Sequence, residues 1–199
     1  QADVKDPGEA WLAAHPPSHK KRMPAYWLAC LPELRRAYKG LCAYFCHYVQ
    51  PVTGAGSTDH YVAKSRNRSA AYEWTNYRFA CSRMNARKST AGDVLDPLEL
   101  EDGWFQLRFS TMQIVPNPAL DPHDRKKVLG TRRRLRLNSS ECIAQRGDYW
   151  DAYRAGDISG QRLMKHAPFI AMEAVRQGIL NPADRGRITD VSIRAWLDS

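Results

Sequence analysis

The chain has 199 residues, with 30 Lys and Arg against 21 Asp and Glu, which gives a formal net charge of +9. This length can bury a hydrophobic core, and a hydrophobic content of 43% argues against disorder. No apolar run approaches the ~20 residues that a membrane-spanning helix needs. Residues 1–6 lack the apolar core of a secretion signal, and five cysteines make an odd, sparse set. We therefore expect a cytoplasmic protein with no membrane partner.

The first ninety residues predict a helical segment followed by a mixed unit. Helical spacing of apolar residues begins near Ala25, Pro32 suits the first turn of a helix, and Gly40 suits its end. We then predict, in chain order, two strands, a brief apolar segment and a short helix. These elements cover residues 41–49, 58–62, 77–80 and 81–88.

The remaining residues predict a strand and then helices. Side chains alternate from Trp104 to Phe109, which indicates a strand that continues toward Val115. Asp121 is the predicted N-cap of the first of three helices. The three cover residues 122–137, 139–155 and 159–178. The expected fold class is α+β, with a helical segment at 1–40, a core domain at 41–90 and a strand-plus-helix elaboration at 91–199.

Positive charge is concentrated between Tyr61 and Thr90. Seven basic residues stand there against the single acid Glu73, and they are Lys64, Arg66, Arg68, Arg78, Arg83, Arg87 and Lys88. A phosphate backbone requires such a cluster, so we expect these residues to contact nucleic acid. A second basic cluster extends from Arg125 to Arg136, and its run from Arg132 to Arg136 is more simply interpreted as the solvated face of a helix.

The residues near this cluster suit hydrolysis. Asp59 and His60 stand at the end of a predicted strand, and their side chains point to opposite faces. Asn85 and Lys88 are three residues apart and share one face of the predicted helix. A hairpin packed on that helix could bring Asp59, His60 and Asn85 to one point. Histidine titrates near neutral pH, which suits a general base.

With Asn76 between Asp59-His60 and Asn85, the sequence resembles the HNH, or ββα-metal, nuclease superfamily. The pattern is similar to the Asp-His…Asn…Asn variant in the HNH domain of CRISPR nucleases. The flanking segments look like those of stand-alone bacterial HNH proteins. The resemblance implies a ββα-metal core flanked by N-terminal and C-terminal helices.

The resemblance also implies a role for each matching residue. His60 is the general base, and Asp59 and Asn85 ligate one divalent cation. Asn76 holds the His60 segment in place through hydrogen bonds. Lys88, together with Arg87, contacts the phosphate.

The ligand types predict the metal and the reaction. Asp59 and Asn85 offer only oxygen ligands, which suits Mg²⁺ or Mn²⁺. We expect Mg²⁺-dependent cleavage of DNA, by nicking or cutting, with little sequence specificity. The alternative is a non-catalytic module on the same scaffold that binds nucleic acid or a protein partner. A binding module needs no metal site and base together, so the residue set argues against it.

The cysteines leave a structural zinc site open. Many HNH proteins carry two Cys-x-x-Cys pairs, but Cys42 and Cys46 are one residue too far apart for this spacing. Cys81 stands without the second cysteine of its pair. A zinc site of Cys42, Cys46 and Cys81, completed by His47, is conceivable. Buried free cysteines are the favoured interpretation.

The resemblance extends to a biological setting. Stand-alone HNH proteins of this kind often serve as effectors of bacterial anti-phage defence, paired with an ATPase. It therefore implies a regulatory protein partner, an ATPase-type sensor of a defence system. The helices after Pro122 are the candidate surface for that partner.

Overall fold

The computed structural model describes residues 2–17 and 22–199. Over these residues the chain forms eight α-helices and two antiparallel sheets of two strands each. The predicted α+β class is confirmed. The chain divides into two compact units, Gln1–Tyr44 with Val49–Gly92, and Phe45–Tyr48 with Asp93–Ser199. Residues 1 and 18–21 of the predicted N-terminal segment lie outside the described part, and the rest of that segment belongs to the first unit.

The first unit contains a strand, a second strand and a helix in that order. β1 (Gly56–His60) pairs with β2 (Tyr77–Cys81), and the register sets Asp59 opposite Arg78 and His60 opposite Tyr77. α3 (Ser82–Lys88) begins at the residue after β2 and packs on both strands. The abrupt change from strand to helix places the helix directly against the hairpin that precedes it.

Two further helices complete the first unit. α1 (Ala2–Ala14) packs on the 3₁₀ turns Tyr26–Cys30 and Ser69–Tyr72. α2 (Leu31–Ala37) packs on β1 and β2 and carries Pro32 in its first turn, as predicted, because that position needs no backbone N–H.

The predicted strand at 41–49 is wrong. The segment contains no strand: a turn covers residues 43–45, and Cys46 has a positive φ of 52°. Its apolar side chains are nevertheless buried, among them Leu41, Cys42 and Val49. The apolar pattern therefore indicated burial, and the segment satisfies its backbone groups through local bonds such as Val49 N–H to Gly40 O at 2.8 Å.

The second unit joins a hairpin to five helices. β3 (Phe105–Arg108) pairs with β4 (Gln113–Pro116), so the single strand expected across this region is a hairpin that turns at Met112, with φ 51°. The helices are α4 (Pro122–Arg134), α5 (Ser140–Ala155), α6 (Gly160–His166), α7 (Pro168–Arg176) and α8 (Asp190–Asp198). Their core includes Leu107, Trp150, Tyr153, Leu163 and Ile170.

Local sequence explains where these helices begin and end. Asp121 caps α4 as predicted, since its Oδ1 accepts the Asp124 N–H at 2.8 Å. The single helix expected at 159–178 is two helices, because Pro168 disfavours helical geometry at Ala167, whose φ is −145°. Among the described residues, no helix has both the length and the apolar composition that a membrane span requires.

Two glycines test the packing of the second unit. A Cβ at Gly160 would lie 2.3 Å from Ile188 Cδ1 and 2.6 Å from Asp184 Cγ, whereas a Cβ at Gly130 meets nothing within 4 Å. We expect Gly160→Ala to lower the free energy of unfolding by about 1–3 kcal/mol through overpacking. Gly130→Ala should raise it by about 0.5–1 kcal/mol, because alanine favours the helix. Urea unfolding of both variants measures this, and equal effects would contradict the close approach at Gly160.

Candidate active site on the strand–strand–helix unit

His60 ends β1 with its imidazole almost buried, at 8% exposure. Nε2 lies 2.9 Å from the backbone oxygen of Ala71. A carbonyl only accepts hydrogen bonds, so Nε2 carries the proton and Nδ1 keeps its lone pair. Within the described part of the chain, Nδ1 has no hydrogen-bond partner. The edges of Trp27 and Tyr77 meet the ring at centroid distances of 4.8 and 5.2 Å.

The electrostatics of this position keep His60 neutral. Burial lowers the pKa of the imidazole to about 4, and the cations Lys64 and Lys88 lower it further against the opposing bond to Ala71. An imidazole with this pKa is uncharged at pH 7. The structure thus holds His60 neutral and in one tautomer, as a general base requires, while the lowered pKa makes it a weaker base than an exposed imidazole.

Asn76 binds the segment that follows His60. Its Oδ1 accepts the Val62 N–H at 2.7 Å, and its Nδ2 donates to Val62 O at 3.0 Å and to Ala70 O at 2.9 Å. Its backbone oxygen accepts the Tyr61 N–H at 2.8 Å. Asn76 therefore links the chain after His60 to the turn at Ser69–Tyr72. The Ala71 carbonyl of that turn orients the imidazole. These are the bonds that a positioning role for Asn76 requires.

Asp59 and Lys88 form a buried ion pair. Lys88 Nζ lies 3.1 Å from Asp59 Oδ2 and donates to His60 O at 2.7 Å. Tyr44 donates its hydroxyl to Asp59 Oδ2 at 2.6 Å. Burial raises the pKa of the Asp59 carboxyl, and the charge of Lys88 is the largest opposing effect. The pair fastens α3 to the end of β1.

The burial of Lys88 changes its expected role. Lys88 is 0% exposed, and its ammonium donates to Asp59 and to the backbone of His60. A side chain without solvent access does not contact a phosphate on the surface. In this structure Lys88 instead supports the two residues at the end of β1.

Asn85 lies on α3, half-buried, and its Nδ2 donates to Ser57 Oγ at 3.0 Å. Ser57 and Asp59 share one face of β1, so Asn85 and Lys88 both reach that face. No hydrogen bond joins Asn85 to Asp59 or His60 among the described residues. The structure thus gathers Asp59, Asn85 and Lys88 at the interface of β1 with α3, while the imidazole of His60 contacts Trp27 and Tyr77.

The donor set fits a hard cation in its chemistry. Asn85 Oδ1 makes no hydrogen bond to the described residues, and the Asp59 carboxylate has lone pairs beyond those used by Tyr44 and Lys88. Both groups supply oxygen, the ligand that Mg²⁺ prefers. Lys88 already neutralises Asp59, so a divalent ion would share the carboxylate with the ammonium.

The basic residues expected to bind nucleic acid fall into two groups. Arg78 is 4% exposed and donates to the backbone oxygens of Thr75 and Tyr77, so this residue lies inside the fold and not on the surface where the sequence placed it. Arg68 is half-buried and donates to His15 O, and Lys64 lies 3.7 Å from the centroid of the Trp27 ring. Arg66 and Arg83 are exposed, and Arg87 is half-buried, as are Lys64 and Arg68.

The cysteines are reduced and do not form a metal cluster in the described residues. Cys42 Sγ accepts the Cys81 N–H at 3.3 Å, and a hydrogen bond from Cys42 lowers the pKa of the Cys81 thiol. Burial raises the pKa of Cys46 to about 11. No group of three or more His, Cys, Asp or Glu side chains is arranged to hold a metal within that part of the chain.

Several contacts at this site had no signal in the sequence. The Ala71 carbonyl that orients His60 is a backbone group, so the residue type at position 71 gives no indication of this bond. Tyr44 and Trp27 reach the site from segments whose apolar residues indicated only a core. Comparison with known proteins adds no assignment, because no protein-family model and no curated protein matches the chain.

The ion pair of Asp59 and Lys88 predicts a large effect on stability. Lys88→Met leaves a buried carboxylate without its cation and should lower the free energy of unfolding by about 3–5 kcal/mol. The double variant Asp59→Asn/Lys88→Met should lose less than the single variant, because no charge stays unpaired. Urea unfolding measures both.

An exposed ion pair supplies the control. Lys127 and Asp124 lie 2.8 Å apart on the surface of α4, so Lys127→Met should change the free energy of unfolding by less than about 1 kcal/mol. If Lys88→Met is as mild as Lys127→Met, the buried pair does not stabilise the fold.

His47, in the second unit, predicts a pH dependence of stability. Burial lowers the pKa of its imidazole to about 4, below the ordinary value near 6.5, and the charge of Arg146 acts in the same direction. The unfolded chain therefore takes up a proton first as the pH falls below 6.5, and stability declines from there toward pH 4.

A His47→Gln variant isolates this effect from other titrating groups. The stability difference between wild type and variant should shift by about 2–3 kcal/mol against wild type between pH 7 and pH 4.5. Denaturant unfolding across this range measures it. A difference that does not change with pH would mean that His47 titrates normally in the folded protein.

Proposed function

We propose that this protein is a metal-dependent endonuclease of the HNH type that hydrolyses phosphodiester bonds of DNA. The observation that carries the proposal is the state of His60. Its Nε2 donates to Ala71 O, its pKa is lowered to about 4, and its Nδ1 is available to accept a proton. Under this proposal the elements β1, β2 and α3 are the ββα-metal core.

His60 would perform the proton transfer. Nδ1 takes a proton from a water as the water oxygen bonds to phosphorus, and the bond from phosphorus to the leaving oxygen breaks. Asn76 acts through position, since its hydrogen bonds hold the segments on both sides of the imidazole. Asp59 and Asn85 would hold Mg²⁺, or Mn²⁺. The bound ion would supply Lewis-acid polarisation of the phosphate and stabilise the leaving oxygen.

DNA binding would come from the surface arginines near the hairpin. Arg66 and Arg83 are exposed and Arg87 is half-exposed, and such side chains bind phosphate without reading bases. We therefore propose nicking or cutting with little sequence specificity. A nuclease of this kind needs a controlling partner, so we also propose a cytoplasmic anti-phage effector regulated by an ATPase-type sensor.

One observation favours a second candidate function. The Lys88 ammonium already sits 3.1 Å from Asp59, so the fold compensates this carboxylate without a divalent ion. A non-catalytic module that binds nucleic acid or a protein partner would have this arrangement. Cleavage assays separate the two candidates.

Plasmid nicking by wild type and by His60→Ala tests the proposal. With Mg²⁺ present, we expect His60→Ala to lose roughly 10²–10⁴-fold in rate, because the general base is removed. His123→Ala, an exposed residue of α4, should retain the wild-type rate. Excess EDTA should abolish nicking by wild type.

Three results would contradict the proposal. Equal nicking by wild type and His60→Ala would exclude His60 as the base. Absence of nicking in every sample would favour the binding module. Full activity in excess EDTA would exclude the divalent ion.

A further inference from the structure

A basic pocket lies in the second unit, at the turn between α4 and α5. Its volume is about 330 Å³, and its lining residues are Arg132, Arg133, Arg136, Asn138 and Ser139. We call it the arginine pocket. Three of the five lining residues are cationic, the other two are polar, and none is acidic. This composition suits an anion.

Backbone geometry bends the arginines toward one another. Leu137 N–H bonds to Arg132 O at 3.0 Å, and Arg136 N–H bonds to Arg133 O at 3.1 Å. Arg136 has a φ of 50°, a conformation that is costly for a residue with a side chain. The turn thereby carries Arg136 back over the end of α4, where Arg132 and Arg133 lie.

The floor of the pocket is anchored to β4. Asn138 Oδ1 accepts the Ile114 N–H at 2.8 Å, and its Nδ2 donates to Ile114 O at 3.0 Å. Arg132 Nη1 donates to the same oxygen at 3.3 Å. These bonds fix Asn138 and Arg132 before any ligand arrives, which lowers the entropy cost of binding for these two side chains.

Two of the three arginines keep their positive charge without an acidic neighbour. Neither Arg132 nor Arg133 has an acidic partner among the residues described. Ser139, the N-cap of the 16-residue helix α5, also lines the pocket, and the first turn of that helix follows it. Glu141 is in that turn, and its carboxylate accepts the Ser140 hydroxyl at 3.3 Å.

Basic residues in the last turn of a helix often only complement the helix dipole. That explanation accounts for Arg132 and Arg133, which lie within α4. It does not cover Arg136, which lies beyond the helix: the left-handed turn that ends α4 places it beside Arg132 and Arg133. Nor does it account for Asn138, which lines the same pocket and is held by two hydrogen bonds to Ile114.

We propose that the arginine pocket binds a phosphate group. Arginine forks match the geometry of phosphate oxygens, and a pocket with no acid favours a ligand of high negative charge. Resting on the proposed nuclease function, the ligand is a backbone phosphate of nucleic acid outside the active site. The second unit then contributes to substrate binding.

Binding is tested on a His60→Ala background in EDTA, so that no cleavage interferes. Fluorescence anisotropy follows a labelled oligonucleotide duplex at several salt concentrations. The pocket variant is Arg133→Gln/Arg136→Gln, which leaves the bond from Arg132 to Ile114 intact. The matched control is Arg125→Gln/Lys126→Gln, which removes two exposed charges from the same helix. If the pocket variant does not fold, Arg133→Gln alone replaces it.

The pocket variant should lower the slope of log K against log salt by about two, one for each phosphate that an arginine no longer neutralises. The control should change it by less than half as much. Equal changes in both variants would overturn the proposal, since general electrostatics would then explain binding. Binding of polyglutamate that depends on the pocket as strongly as duplex binding does would also overturn it, in favour of an acidic protein.

A second arm distinguishes a nucleic-acid phosphate from a free phosphate. Inorganic pyrophosphate is titrated while the melting temperature is recorded. A shift in wild type but not in the pocket variant, with unchanged duplex binding, supports a phosphate pocket and overturns its extension to nucleic acid. Because the assay runs without cleavage, failure of the nuclease proposal in the nicking test does not decide this result.

Discussion

The buried contact between Asp59 and Lys88 is the constraint on which the first unit depends. A carboxylate in the protein interior is costly unless a cation and hydrogen bonds compensate it, and here Lys88 and Tyr44 do so. Since Lys88 also donates to His60 O, the same ammonium sets where β1 ends and how α3 lies against it. The position of the candidate base therefore follows from an ion pair in which the base itself takes no part.

Burial has opposite consequences for the two neighbours Asp59 and His60. Asp59 is held on the side that faces α3, where a cation compensates its charge. His60 is held among aromatic rings, where burial lowers the pKa of its imidazole and keeps it neutral, and a single carbonyl sets its tautomer. Alternation along one strand thus produces a charged group and a neutral base in adjacent positions.

The sequence predicted the α+β class, but it did not predict every element or the surroundings of each candidate site residue. The strand at 58–62 and the helix at 81–88 were expected close to the observed bounds of β1 and α3, whereas β2 was expected only as a brief apolar segment at 77–80. The strand expected at 41–49 does not form, since an apolar segment can be buried without pairing. Lys88 and Arg78 were expected on the surface as cations, but composition does not reveal which cations find partners inside. Within the helical segment expected at 1–40, the bounds of α1 were not predicted, because Pro7 interrupts its apolar pattern, and α8, with 9 residues, was not predicted as a separate helix.

What the sequence determined by itself is the set of residue types and their order: an acid beside a histidine, two asparagines at fixed spacing, and basic residues around them. Local rules such as strand alternation and proline geometry then predicted on which elements these residues lie. Tertiary structure alone decided which nitrogen of His60 carries the proton, that Lys88 faces Asp59, and that Arg136 returns to form a pocket with Arg132 and Arg133. Each of these depends on a contact between different elements or on a bond to a backbone carbonyl. The amino-acid sequence does not reveal either kind of contact.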